Sequence, residues 1–145
     1  MAGPDHPLAR AALREVVDLH AFFEAWLGGT APNTDAEFAR LDAVLAESFT
    51  MVSPDGRRLS RADVTGSLRK AHGLRGRAAP FRIFIVEPEI LHVQTPLIAV
   101  RYVEEQSAPD TITRRRSTAL FEALPDDPSR VQWLALHETW TGSGS

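Results

Sequence analysis

The stretch LIAVRYVEEQSAPDTITRRRSTALFEAL (residues 97–124) decides the fold, because it reads as two long strands joined by a short turn. Successive strand side chains point to opposite faces. Ile98, Val100 and Tyr102 therefore share one side, and Leu97, Ala99 and Val103 share the other with Arg101 among them. In the second half Thr118 and Leu120 oppose Ala119 and Phe121. A link as short as SAPDT favours antiparallel neighbours, since a parallel crossover needs far more chain. Both sides carry apolar groups, so both sheet faces are expected to be covered.

Working outward, the same character holds on either side. Strands are expected near Phe81–Val93, Leu97–Gln106, Ile112–Leu124 and Val131–Thr141, separated by QTP, SAPDT and PDDPS. Pro88 has no N–H to give a ladder, so it marks a bulge or bend. The last run, VQWLALHETW, alternates with Trp133, Ala135, His137 and Thr139 on one side and Leu134, Leu136, Glu138 and Trp140 on the other.

Before Pro80 the period is helical. Leu13, Val16, Val17, His20, Phe23, Trp26 and Leu27 recur at three- and four-residue steps from about Leu8 to Leu27, one apolar stripe. Gly28 suits a left-handed helix end. Thr34 and Glu37 form a capping box for a second helix, whose inner face is Phe38, Leu41, Val44, Leu45 and Phe49. FTMVSPDGRRLS reads as a strand, a Pro-Asp-Gly turn and a return strand. Ser60 and Asp63 open a third helix that turns Val64, Leu68 and Ala71 inward. GLRGRAAP is a loose connection. Helices gathered first and an antiparallel meander after them describe an α+β domain, helices on one sheet face.

The chain has 145 residues, 43% hydrophobic and 24% charged, with a net charge of −3. That is one domain, 1–145, with a real core, its ends 1–7 and 142–145 loosely held. The charge gives no electrostatic case for nucleic acid. There is no cysteine, which excludes disulfides, thiolate metal sites and cysteine nucleophiles. No secretion signal or apolar run long enough to span a membrane is visible, so a cytoplasmic location is expected. Helices cover one sheet face only; a second copy is the simplest cover for the other, giving a homodimer through the sheet.

Five stretches in order carry a resemblance: LHAFFEAWLGG, FTMVSPDGRRLSRADV, IAVRYVEEQ, RRRSTALFEAL and WLALHETW. The chain resembles the nuclear-transport-factor-2-like superfamily and, within it, small SnoaL-like bacterial proteins of unknown function. The resemblance implies a cone: a strongly curved antiparallel sheet with three N-terminal helices on its concave face and a pocket between. It does not fix an activity, because members include isomerases, dehydratases, cyclases, epoxide hydrolases, transport factors and assembly domains.

The candidate chemistry follows from residue types. An isomerase of this fold needs a carboxylate base and an oxyanion hole, typically a tyrosine with a protonated acid. The nine aspartates all fall in the N-terminal tail, helices or turns, and Tyr102 is the only tyrosine. Glutamates could substitute, notably Glu104, Glu105, Glu122 and Glu138. The catalytic candidates are His137, Tyr102 and Glu104. Histidine as a residue type suits acid–base work, which makes His137 a candidate, but a strand histidine satisfied by a neighbour is the plainer account. His20, on the first helix's apolar stripe, is either a core histidine tied to the backbone or an inward pocket group. Arg115 points opposite to Arg114 and Arg116, offering an inward cation; pairing of this run with Glu104 and Glu105 is the alternative. RKAHGLRGR lacks aromatic platforms and reads as a solvated loop. The histidines show no metal-ligand spacing, so neither metal nor cofactor is expected.

The expected ligand pocket is His20, Phe23, Trp26, Tyr102, Arg115, Trp133 and His137. The function expected is binding of a small organic ligand in an apolar pocket. The alternatives are a SnoaL- or ketosteroid-isomerase-like enzyme, and a dimeric assembly or interaction domain.

Overall fold

A computed structural model describes residues 6–76 and 80–141. The expected loose ends lie almost wholly outside these residues, and part of the GLRGRAAP connection does too; His6 and Pro7 are the exception, capping and starting the first helix. The elements run α1 (Pro7–Gly28), α2 (Asp35–Val44), β1 (Leu45–Val52), β2 (Arg58–Ser60), α3 (Arg61–Lys70), β3 (Arg82–Gln94), β4 (Leu97–Ala108), β5 (Thr111–Leu124) and β6 (Asp127–Trp140).

The sheet order is β2-β1-β6-β5-β4-β3. The C-terminal four strands form the expected antiparallel meander. The sheet as a whole is mixed, however, because β1 pairs parallel to β6. An all-antiparallel sheet is therefore corrected: the strand expected at FTMV starts earlier, at Leu45, and runs parallel to β6. Leu45 and Phe49 continue the apolar spacing of α2, yet the helix stops at Val44 and both residues belong to β1. Three- and four-residue spacing fits a helix and a bulged strand equally over so short a run, and β1 is irregular between Leu45 and Thr50 where it meets β6.

Local signals act largely as expected. The Thr34 side chain accepts from the Glu37 N–H, and Ser60 with Asp63 forms a reciprocal capping box. The left-handed end of α1 is Gly29 (φ 83°), one residue beyond Gly28, and its N–H meets the Trp26 carbonyl at 3.2 Å. Pro88 sits in a register shift between Val86 and Glu89.

α1 packs against β3, β4 and β6, and α2 and α3 against β1 and its neighbours. Between helices and sheet lies the core: Val16, Trp26 and Leu41 from the helices meet Ile98, Val100, Phe121 and Trp133 from the sheet, all essentially excluded from water. Each such side chain contributes about 1.5–3 kcal/mol by burial. α3 has no fully buried residue. Its Val64 and Leu68 pack half-buried against the core, and polar ties add to this: Trp26 Nε1 donates to the Leu68 carbonyl at 2.6 Å, and Arg69 reaches Asp35 and Asn33. No described helix is long and apolar enough to cross a membrane.

Candidate functional site

Strand pairing alone brings the polar residues of the helix-covered face together. Tyr102 stands opposite Ser117, Glu104 opposite Arg115, and Ser117 opposite Glu138. These rows lie where β4, β5 and β6 pass under α1, and His20 descends onto them from the helix. Above them a cavity of about 360 Å³ opens between α1, α3 and the sheet. Leu19, Phe23, Met51, Leu68 and Leu136 are among its apolar walls, and its polar floor is His20, Glu104, Gln106, Arg115 and Glu138. The exposed residues Asp63, Ser67 and Arg75 also line it and mark its rim.

His20 and Glu104 are both buried and joined at 3.1 Å. The other ring nitrogen of His20, Nδ1, donates to the Val16 carbonyl at 2.7 Å. Burial opposes a charge on His20, but the Glu104 carboxylate outweighs it and the imidazole holds its proton above the usual histidine range. Burial likewise opposes ionisation of Glu104, and His20 more than reverses that, holding Glu104 well below the usual carboxylate range. Gln106 Nε2 adds a 2.6 Å bond to its second oxygen. This pair is a closed ionic unit.

Glu138 is its opposite. Burial and the neighbouring Glu104 charge push its carboxyl up to about 6, against the pull of Arg115 and His20. It accepts from Ser117 Oγ at 3.2 Å, while Arg115 Nη1 stands 3.5 Å away. Arg115 also lies over the Trp140 ring at 4.7 Å. Its Nε, and the Tyr102 hydroxyl, are buried with no hydrogen-bond partner among the described residues; burial raises the Tyr102 hydroxyl well above the ordinary tyrosine value. Two carboxyls close together with opposed proton affinities, beside a guanidinium, can bind a polar group or exchange a proton with it.

Of the pocket residues read from sequence, His20, Phe23, Arg115 and Trp133 line this cavity. Glu104, one of the catalytic candidates, lines it too. Trp26 does not; it is packed between Phe38 and His72 with its N–H tied to α3. Tyr102 is buried beneath the floor, its ring 5.4 Å from that of His20. His137 is exposed on the opposite sheet face, in a shallow groove with Ala99, Leu120 and Ala135. The cause is a single extra residue: Trp133 pairs with Phe121 but Ala135 pairs with Leu120, so Leu134 is a bulge that reverses every later side chain of β6. Glu138, not His137, thereby shares the face of Trp133. Sequence reasoning had Glu138 only among substitute bases and missed Gln106 and Ser117; Gln106 was legible as the next inward position after Glu104. The RRR run divides as its alternation implies: Arg114 pairs with Glu105 at 2.8 Å, and Arg115 turns in. Among the described residues no cluster of histidine and carboxylate could hold a metal ion.

Solved structures with a similar fold include a nuclear-transport-factor-2-like protein of unknown function from Pseudomonas aeruginosa, 28% identical, with a TM-score of 0.81 over 91% of this chain and 99% of that one. A putative scytalone dehydratase from Novosphingobium aromaticivorans matches at 15% identity and 0.70, over 92% and 83%. The association domain of C. elegans CaMKII matches at 12% and 0.62, over 90% and 96%. The last two are similar in fold alone. The chain is a nuclear-transport-factor-2-like protein. Residues 12–142 match the sucrose-6-phosphate phosphohydrolase C-terminal model, and the chain belongs to that family. A curated relative, probable sucrose-phosphatase 3a of Arabidopsis thaliana, is 21% identical over 131 residues, which is 90% of this chain and 30% of that protein. The chain thus spans less than a third of that relative's length.

Proposed function

We propose that this domain binds a small organic molecule in the cavity between α1, α3 and the sheet. The carrying observation is the cavity's division into apolar walls and one polar floor, the usual build of a site that takes an apolar body and orients it by a few polar groups. Its volume of about 360 Å³ lies within the range of such sites. The walls argue for an apolar compound over a sugar phosphate of the kind the Arabidopsis relative's name brings to mind. Leu19, Phe23, Met51 and Leu136 would leave most sugar hydroxyls unpaired, at a cost for each.

Titration with a naphthalene-based fluorophore tests this. One saturable site per chain is expected, abolished by Met51→Trp, whose larger ring takes up part of the cavity. No saturable binding, or binding unchanged by Met51→Trp, overturns it.

The opposed proton affinities of Glu138 and Glu104 favour a second function, an acid–base enzyme of the isomerase or dehydratase kind. Glu138 would carry the proton, Arg115 would polarise the substrate oxygen, and Glu104 with His20 would hold the floor in place. The outer sheet face supports a homodimer: Ala99, Leu120 and Ala135 line a shallow groove there, with Thr118 and His137 beside them, and none of the described helices lines it.

A further inference from the structure

We propose that the molecule held in the cavity is an apolar monocarboxylic acid, its carboxylate against Arg115 and Glu138, and that it binds together with one proton taken up by Glu138. This rests on the cavity being a small-molecule site.

The floor has one well-paired acceptor and one under-paired donor. Glu104 already accepts from His20 and Gln106, so it offers little to a ligand. Arg115 is the reverse. Its side chain is only 14% exposed, its Nη1 lies 3.5 Å from Glu138, beyond a good charge-assisted bond, and its buried Nε has no hydrogen-bond partner among the described residues. A guanidinium left so under-satisfied gains most from an oxygen pair, which a small turn about its end brings into reach. A carboxylate matches the planar fork with two oxygens, where a ketone or alcohol offers one.

Charge balance supplies the proton. His20 and Arg115 are cations and Glu104 an anion. With Glu138 neutral the cluster carries one positive charge, which a single carboxylate cancels. With Glu138 ionised the cluster is already neutral, and a further carboxylate would meet it as a buried anion. Protonated, Glu138 can instead donate to the second ligand oxygen. The groups facing Glu138 are Arg115 and Ser117 from β5, Glu104 and Tyr102 from β4, and His20 from α1. Asp63 of α3 and Arg75 stand farther off at the exposed rim, and β1 lends only apolar residues to the lining. Glu138 is the member whose proton affinity, at about 6, lies where such an exchange is easy.

The test compares 2-naphthoate with its neutral isostere naphthalene-2-carboxamide by calorimetry from pH 5.5 to 7.5, in buffers of different ionisation enthalpy. If the binding-competent form is the one with Glu138 protonated, naphthoate affinity is about 25-fold higher at pH 5.5 than at 7.5, with close to one proton taken up at the upper end. The carboxamide should show neither effect. Glu138→Gln should make naphthoate affinity independent of pH, at the level the wild type reaches in acid. Arg115→Met should weaken naphthoate at least tenfold and the carboxamide about twofold or less. Carboxamide binding without naphthoate binding, or naphthoate affinity flat with pH and no proton uptake, overturns the carboxylate assignment while the cavity stays a binding site. Binding of neither probe, or binding that survives Met51→Trp, overturns both.

Discussion

Replacing Glu138 by glutamine should make this protein more stable at neutral pH and leave it unchanged in acid. Glutamine has the shape of the protonated acid and cannot ionise. In the folded chain the Glu138 carboxyl is pushed up from 4.5 to about 6, first by burial and then by Glu104. A folded-state value above the unfolded one means that the folded chain holds the proton more tightly. Its stabilising contribution is complete below pH 4.5 and is lost as pH rises through about 6. The gap of roughly 1.5 units corresponds to about 2 kcal/mol, the cost at pH 7.5 of keeping a buried carboxylate near another. Glu138→Gln removes that cost, so its stability gain over wild type should grow from about zero at pH 4.5 to about 2 kcal/mol at pH 7.5. Urea unfolding at pH 4.5, 5.5 and 7.5 measures this, as does thermal unfolding, where the gain is about 4–8 °C for a chain of this size. In a Glu104→Gln background the gain should shrink, because one of the two causes is gone. A loss of stability at pH 7.5, no smaller than at pH 4.5, would refute the reasoning. It would mean that Arg115 at 3.5 Å outweighs burial and that the ionised pair supports the fold.

Glu104→Gln alone should destabilise by about 3–5 kcal/mol near pH 6, as read by urea unfolding, because it removes one partner of a buried ion pair and leaves burial acting unopposed on His20. Trp26→Phe removes the 2.6 Å bond to the Leu68 carbonyl; a cost of about 1–3 kcal/mol is expected, with faster hydrogen exchange concentrated in α3. His137→Ala, on the outer face, should change stability by about 0.5 kcal/mol or less and leave fluorophore binding in the cavity as it was. If the outer face joins two copies, Ala135→Arg should turn a dimer into a monomer in analytical ultracentrifugation without loss of helical or sheet signal.

The fold was legible where one rule governed a long run. Alternation over residues 97–124 gave two strands and their faces, and the Ser60–Asp63 box placed the start of α3 to the residue. It was least legible at Leu45–Phe49. There an apolar helix face and a bulged parallel strand share the same spacing, and what ends α2 at Val44 is pairing with β6, more than eighty residues away. No local pattern carries that information.

Three residues read as pocket, Trp26, Tyr102 and His137, do not line the cavity, and the last was misplaced for a similar reason. His20, Glu104 and Arg115 were found because each sits on a run whose period is unbroken. His137 was lost and Glu138 gained because Leu134 is an extra residue in β6, and nothing in WLALHE distinguishes a bulge from an alternation. The consequence is chemical as well as geometric. An unbulged β6 would turn His137 inward and Glu138 out to solvent, leaving the floor with one carboxylate, already neutralised, and a second imidazole in place of a second carboxyl. The bulge instead delivers a second carboxyl beside the first. Burial and Glu104 separate the proton affinities of the two, and that separation, more than any residue type taken singly, is what gives the cavity floor its capacity to respond to a bound molecule.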